Sequence, residues 1–144
     1  MNKIKDLLKH SNQALVTVEP NTLIYGALKQ MEDSDIGCVL VVWEGTLIGI
    51  MSERDYARKV VLKGNASWKT KVEKIMRTEF PVVSPESSLD EALALLSQYK
   101  VRYLPVLEGR DLIGLISIHD VLNAVIDTQL DNIELLNKYV YNQM

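Results

Sequence analysis

The sequence predicts an α+β fold built from two copies of one β-α-β-β-α unit, and three observations carry that expectation. The chain matches itself at an offset of 65 residues, without a gap, from Val16 to Val61. Each copy holds one apolar stripe at helical spacing, then two short apolar runs parted by a turn. Each copy also ends its second run in the same phrase, an apolar pair, Gly, two apolar residues, Ser, two variable residues and Asp. It reads LIGIMSERD in the first copy and LIGLISIHD in the second.

The self-match is dense. Val18 falls on Val83, Pro20 on Pro85, Ala27-Leu28 on Ala92-Leu93 and Val41 on Val106. Leu47-Ile48-Gly49 falls on Leu112-Ile113-Gly114, Ser52 on Ser117, Asp55 on Asp120 and Val60 on Val125. A lead-in repeats too: Ile4, Leu7 and Leu8 resemble Val72, Ile75 and Met76, with three extra residues before the first strand. The expected organisation is a lead-in over 1–15, a first repeat over 16–64, and a linker with its own lead-in over 65–80. A second repeat over 81–127 and a C-terminal helix extension over 128–144 follow.

The elements are clearest in the second copy. Val82-Val83 reads as a short strand stopped by Pro85. Ser88 caps the next helix, and Glu91 completes a capping box. Leu89, Ala92, Leu93 and Leu96 then lie at i, i+3, i+4 and i+7, one apolar face. Ile24, Ala27, Leu28 and Met31 repeat that face behind Thr22 as cap. Leu104–Leu107 and Leu112–Ile116 are strands turned by Glu108-Gly109-Arg110-Asp111, matched by Val39–Val42 and Leu47–Met51 around Glu44-Gly45. A final helix closes each copy. The first ends at Gly64, and polar residues 63–71 link the halves. The second runs on through Leu122, Ile126, Leu130, Ile133, Leu136 and Val140. That stripe is read first as packing onto its own domain and second as a subunit or partner contact.

Composition bounds the function. A net charge of −3 over 144 residues argues against a general nucleic-acid binder, which carries a basic surplus. One cysteine, Cys38, and two histidines, His10 and His119, supply no multi-Cys or His-rich metal site. The N-terminus lacks an apolar signal region, and no run approaches the ~20 apolar residues that span a bilayer. The expected location is the cytoplasm, with neither membrane nor nucleic acid as partner.

The Ser-x-x-Asp phrase has a plain structural reading, a helix N-cap with an acid in the first turn. It has a functional reading as well. A helix start offers free N–H groups and a partial positive charge to an anion. An ionised Asp offers acceptor oxygens that suit a ribose cis-diol, and apolar strand ends beside it could sandwich a purine.

Repeat length, strand–helix order and Gly-h-h-Ser-x-x-Asp together resemble the CBS domain, named for cystathionine β-synthase. SERDYARKVVLKG, VRYLPVLEG and LIGLISIHDV are similar to a subgroup of small two-repeat proteins, and the resemblance covers roughly residues 4–127. It implies two repeats packed through their sheets about a pseudo-twofold axis, a Bateman module with two clefts. It implies AMP, ADP, ATP, NAD-type dinucleotides or S-adenosylmethionine as ligands. Asp55 and Asp120 inherit the ribose contact, with Ser52 and Ser117 on the same turns. Backbone around Thr17-Val18 and Val82-Val83 is assigned to the adenine. Arg102-Tyr103, with Pro105 just beyond, and Gly37-Cys38 are assigned to phosphates. Arg54 and His119 hold equal positions in the two phrases. The opposite-repeat arrangement sets Arg54 and Arg102 over Asp55, and His119 and Gly37 over Asp120. Asp55's cleft is therefore expected to favour more phosphate.

The remaining candidates read blandly. His119 lacks a nucleophile or carboxylate partner other than Asp120, so no general base is assigned. Cys38 reads as a small buried hydrophobe, and Asp55 with Lys59 as an i,i+4 pair. Trp43 and Trp68 are possible contact aromatics in a turn and the linker. Asp55 and Asp120 sit in separate copies, which favours two binding sites over one acid/base pair. The expectation is an adenine-nucleotide-binding regulatory module, not an enzyme and without a catalytic cofactor. It would act as a homodimer on an unidentified protein in trans. The alternative is a structural dimerisation domain with degenerate clefts.

Overall fold

The computed structural model describes residues 2–9 and 15–143; residues 1 and 10–14 of the lead-in, and residue 144 of the extension, lie outside the described residues. The elements run α1 (Ile4–Leu8), β1 (Thr17–Val18), α2 (Ile24–Ser34), β2 (Cys38–Trp43), β3 (Thr46–Ser52) and α3 (Glu53–Tyr56). A π-helical turn (Ala57–Val61) and a 3-10 turn (Val72–Lys74) follow, then α4 (Leu89–Tyr99), β4 (Tyr103–Glu108), β5 (Asp111–Ser117) and α5 (Ile118–Gln143). The α+β architecture is the one the repeat predicts.

In the first repeat β1 pairs parallel with β2, Thr17 opposite Leu40, and β2 and β3 form an antiparallel hairpin. Its turn needs positive φ at Glu44 (49°) and Gly45 (78°), a conformation that glycine takes without steric cost. In the second repeat β4 and β5 make the same hairpin. The expected strand at Val82-Val83 shrinks there to a single parallel bridge between Val83 and Val106. Pro105 gives the reason. Its equivalent, Leu40, donates its N–H to the Val16 carbonyl at 2.9 Å, and proline has no N–H to donate.

The caps differ as well. Ser88 Oγ accepts from the Glu91 amide at 3.0 Å, the serine half of the expected box. Thr22 does not cap α2; Leu23 holds that position without a side-chain bond. Linker carbonyls serve instead: the amides of Ile24 and Tyr25 donate to Thr70 O at 2.9 Å and Ser67 O at 3.0 Å.

The lead-ins repeat as the sequence indicates, but each packs on the other half. The amides of Val72 and Glu73 donate to Thr22 O and Pro20 O in the first repeat. Those of Ile4 and Lys5 donate to Ser87 O and Pro85 O, the equivalent carbonyls of the second. Val72 and Ile75 are buried in the first core, and Ile4 and Leu7 in the second. The glycine of each phrase makes room for this exchange. A Cβ at Gly49 would stand 2.5 Å from Met76 Sδ, and one at Gly114 2.7 Å from Leu8 Cδ2. Leu115 of β5 is buried in the first core, which joins the halves at their sheets. These matched contacts express the pseudo-twofold relation.

The C-terminal stripe departs from its first reading. Val121 and Ala124 of α5 are buried against the second core, but own-body packing ends by Thr128. Leu122, Ile126, Leu130, Ile133, Leu136 and Val140 are all exposed.

Candidate functional site

The hairpin β2-β3 delivers Ser52 to the start of α3, where serine and aspartate close a reciprocal cap. Ser52 Oγ accepts from the Asp55 amide at 3.2 Å and donates to Asp55 Oδ2 at 3.0 Å. The Ser52 amide donates to the same Oδ2 at 3.1 Å. The other carboxylate oxygen, Oδ1, accepts from Arg77 Nε at 2.9 Å, with Lys59 Nζ at 3.9 Å. Asp55 is thereby buried and paired.

This turn opens into a cleft of about 510 Å³. Ser52, Arg54 and Asp55 of the first repeat line it, with Gly37 at the foot of β2. Arg102 and Tyr103 reach it from the second repeat. Arg54 and Arg102 therefore do converge over Asp55, and neither forms an ion pair among the described residues. Arg54 Nη1 donates to Lys100 O at 3.2 Å, which ties the two repeats across the cleft. Gly37, expected beside Asp120, lies in this cleft instead. Tyr103 closes over it, where a Cβ would collide with the phenol, and burial pushes that phenol's pKa up.

Several lining residues escaped the sequence reading: Arg58, Arg77, Phe80 and Lys100. Arg77 and Phe80 come from the second lead-in, outside the repeated phrase. The amide of Arg77 donates to Ile50 O at 2.9 Å and its carbonyl accepts from the Ile50 amide at 3.1 Å, so the exchanged lead-in sets it beside β3. Lys100 ends α4 in a left-handed conformation, φ 53°. Five cations (Arg54, Arg58, Arg77, Lys100 and Arg102) thus face two carboxylates, Glu53 and Asp55. In a protein of net charge −3, this cleft between the repeats holds a local excess of positive charge.

Thr17, Val18, Cys38, Val82, Val83, Pro105, Ser117, His119 and Asp120 do not line this cleft. Cys38 is wholly buried in the first core, and burial pushes its thiol up to about 12. Its side chain faces the core and not the cleft. Ser117 and Asp120 repeat the cap: the Ser117 amide donates to Asp120 Oδ2 at 2.9 Å, and the Asp120 amide donates to Ser117 Oγ at 3.1 Å. His119 is exposed beside them. A smaller cleft of about 280 Å³ beyond Tyr103 is acidic, with Glu32, Asp35 and Glu53. Among the described residues no cluster of three or more His, Cys, Asp or Glu is placed to hold a metal. Among them, too, no helix is long and apolar enough to cross a membrane.

Comparison with known proteins bears on both repeats. The family model described as CBS domain matches residues 4–62 and again 72–127. A mitochondrial CBS domain-containing protein of Arabidopsis thaliana is 36% identical over 122 residues, spanning 81% of this chain and 59% of the plant protein. A structure from Burkholderia ambifaria, described as a signal-transduction protein with CBS domains, superposes with a TM-score of 0.83 at 43% identity. It covers 88% of this chain and 96% of that one. At 22% identity, a CBS domain pair solved with 5′-methylthioadenosine and S-adenosylmethionine shares the fold, TM-score 0.75, over 88% and 97% of the two chains.

Proposed function

This chain belongs to the CBS-domain family, and on that premise we propose that it is a regulatory module whose Asp55 cleft binds an adenine nucleotide carrying more than one phosphate. The observation that carries the reading is the convergence of Arg54, Arg102 and Lys100 from two repeats on one helix start. Guanidiniums offer rigid multidentate donors with a charge that does not titrate away, which suits a polyphosphate. Asp55 is the acceptor for the ribose, and Ile50, Val101 and Phe80 give the cleft apolar surface for the base. ATP, ADP and NAD fit this chemistry better than AMP. The nucleotide would alter the module's contacts with a protein partner in trans, and no catalytic role is assigned.

Calorimetric titration with ATP, ADP, AMP, NAD and adenosine tests the reading. The expected order places ATP above AMP and adenosine last, with ATP binding weakened by added salt. Absence of heat and of thermal shift for every ligand would overturn it and leave the structural alternative. Incubation with ATP followed by product analysis checks the non-catalytic assignment.

One observation favours an assembly role beside the sensing role. In α5, Ile126, Ile133 and Val140 recur every seven residues, with Leu122 four residues before the first and Leu136 between the last two, a pattern that favours self-pairing of two helices. The exposures of these side chains and Leu130, 39% to 63%, amount to on the order of 1,000 Å² in a pair, the lower bound of a specific interface. We propose a homodimer through this stripe. Light scattering should return twice 16.3 kDa, and Ile133→Asp should halve the mass without unfolding the chain. A wild-type mass of one chain at micromolar concentration would overturn the dimer.

A further inference from the structure

We propose that Arg77 is a latch on Asp55 that makes ribose binding conditional on phosphate. This rests on the nucleotide reading of the cleft. A carboxylate offers about four acceptor positions, and a ribose diol needs two of them. Oδ2 is taken by the amide and hydroxyl of Ser52, and Oδ1 by Arg77 Nε at 2.9 Å. The Asp55 side chain is 3% exposed, so no sugar hydroxyl reaches it past the guanidinium. The Ser52 bonds belong to the cap of α3 and stay with it. Arg77 is the partner that can leave. Its side chain is 34% exposed on the cleft, and its backbone is pinned to Ile50 by two hydrogen bonds, so rotation of the side chain alone releases the carboxylate.

A released guanidinium needs another anion, because leaving Asp55 forfeits a charge-assisted bond. Phosphate oxygens supply that anion inside the same cleft, where Arg54, Arg58 and Arg102 already draw them. A neutral nucleoside supplies none. It must break the Arg77–Asp55 pair uncompensated, whereas a nucleotide exchanges one anion for another. Arg77 thus couples recognition of the two ends of the ligand, and discrimination against adenosine resides in a residue outside the Ser-x-x-Asp phrase.

The test measures ATP and adenosine affinity in the wild type and in Arg77→Met. Removing the latch should tighten adenosine and weaken ATP, lowering the ratio of their affinities about tenfold or more, the worth of a charged hydrogen bond. A wild type that binds ATP, beside an Arg77→Met protein in which both ligands change by the same factor or neither changes, overturns the latch and leaves the nucleotide reading standing. A wild type that binds none of the ligands overturns both. Should Arg77→Met fail to fold, the wild type still decides. Its Arg77 Nε–H resonance, assigned through Arg77→Lys, should move on saturation with ATP and stay with excess adenosine. A resonance that stays put under saturating ATP overturns the latch.

Discussion

Asp55 and Asp120 stand at the same place in two copies of one repeat, and both close the same cap with the serine three residues before. Their surroundings diverge. Asp55 is buried and carries Arg77 and Lys59 as well as Ser52. Asp120 is half-buried, and among the described residues it meets Ser117 alone. The divergence extends outward at matched positions: Arg54 against His119, Arg58 against Asn123, Lys100 against Asp35, and Arg102 against Gly37. The cap is thus the part that duplication preserved, whereas the charges around it vary between copies. A helix cap depends on its own few residues. An anion site depends on side chains from several segments, and those side chains differ between the two copies.

The largest effect expected from this difference is on stability. Asp55→Ala removes both a cap and the partner of a half-buried guanidinium, and should cost about 2–3 kcal/mol. Asp120→Ala removes a cap alone and should cost about 1 kcal/mol. Urea denaturation of the two variants gives both numbers, and equal losses would erase the distinction between the two sites.

A charge exchange gives an intermediate effect. Lys100 and Asp35 both end their helices in the left-handed region, φ 53° and 50°, so each position tolerates the other's backbone. Aspartate is at home there. Lys100→Asp writes the second repeat's charge into the first cleft. ATP affinity should fall about tenfold at low salt, and less at high salt, while adenosine affinity barely moves. A fall shared equally by adenosine would assign the change to distorted structure rather than to lost attraction for phosphate.

The smallest effect concerns Cys38 and Tyr103, equivalent residues at the starts of β2 and β4. The buried thiol is held protonated up to about 12, against an ordinary value of 9.0. The unfolded chain therefore loses this proton first. Stability from Cys38 is complete below pH 9 and declines as pH rises toward 12. Cys38→Ala should decline less steeply over that window in thermal melts. Iodoacetamide should leave the folded thiol unmodified at pH 8 and label it after unfolding. Rapid labelling of the folded protein would place Cys38 on the cleft after all.

Most of the architecture is legible in the chain because it is local. Helical spacing in Leu89, Ala92 and Leu96, the turn at Glu44-Gly45 and the cap at Ser52 each depend on residues a few positions apart. What the sequence concealed is non-local. The cap of α2 comes from linker carbonyls at Ser67 and Thr70, so Thr22 stands spare. The bridge at Val83 is short because of Pro105, over twenty residues along the chain. Arg77 belongs to a lead-in whose repetition is visible, yet nothing in its spacing tells on which half it lands. The one usable signal lay in the phrase glycines. Gly49 and Gly114 mark a close approach by another segment, and the lead-ins are the repeated segments left over to make it.

The exchange of lead-ins bears on how the chain comes into being. Cut between residues 62 and 72, the polypeptide yields two fragments that each carry the segment the other requires. Neither is a complete folding unit, and the two should recognise one another when mixed. During synthesis the first repeat waits for Val72 to Arg77 to leave the ribosome before its core closes. The second remains bound to a segment made well before it, Ile4 reaching Ser87 across more than eighty residues. Contacts of such span slow folding relative to local ones. The halves are thus interlocked by order of manufacture, and a single repeat lifted out of this gene would be an unfinished object.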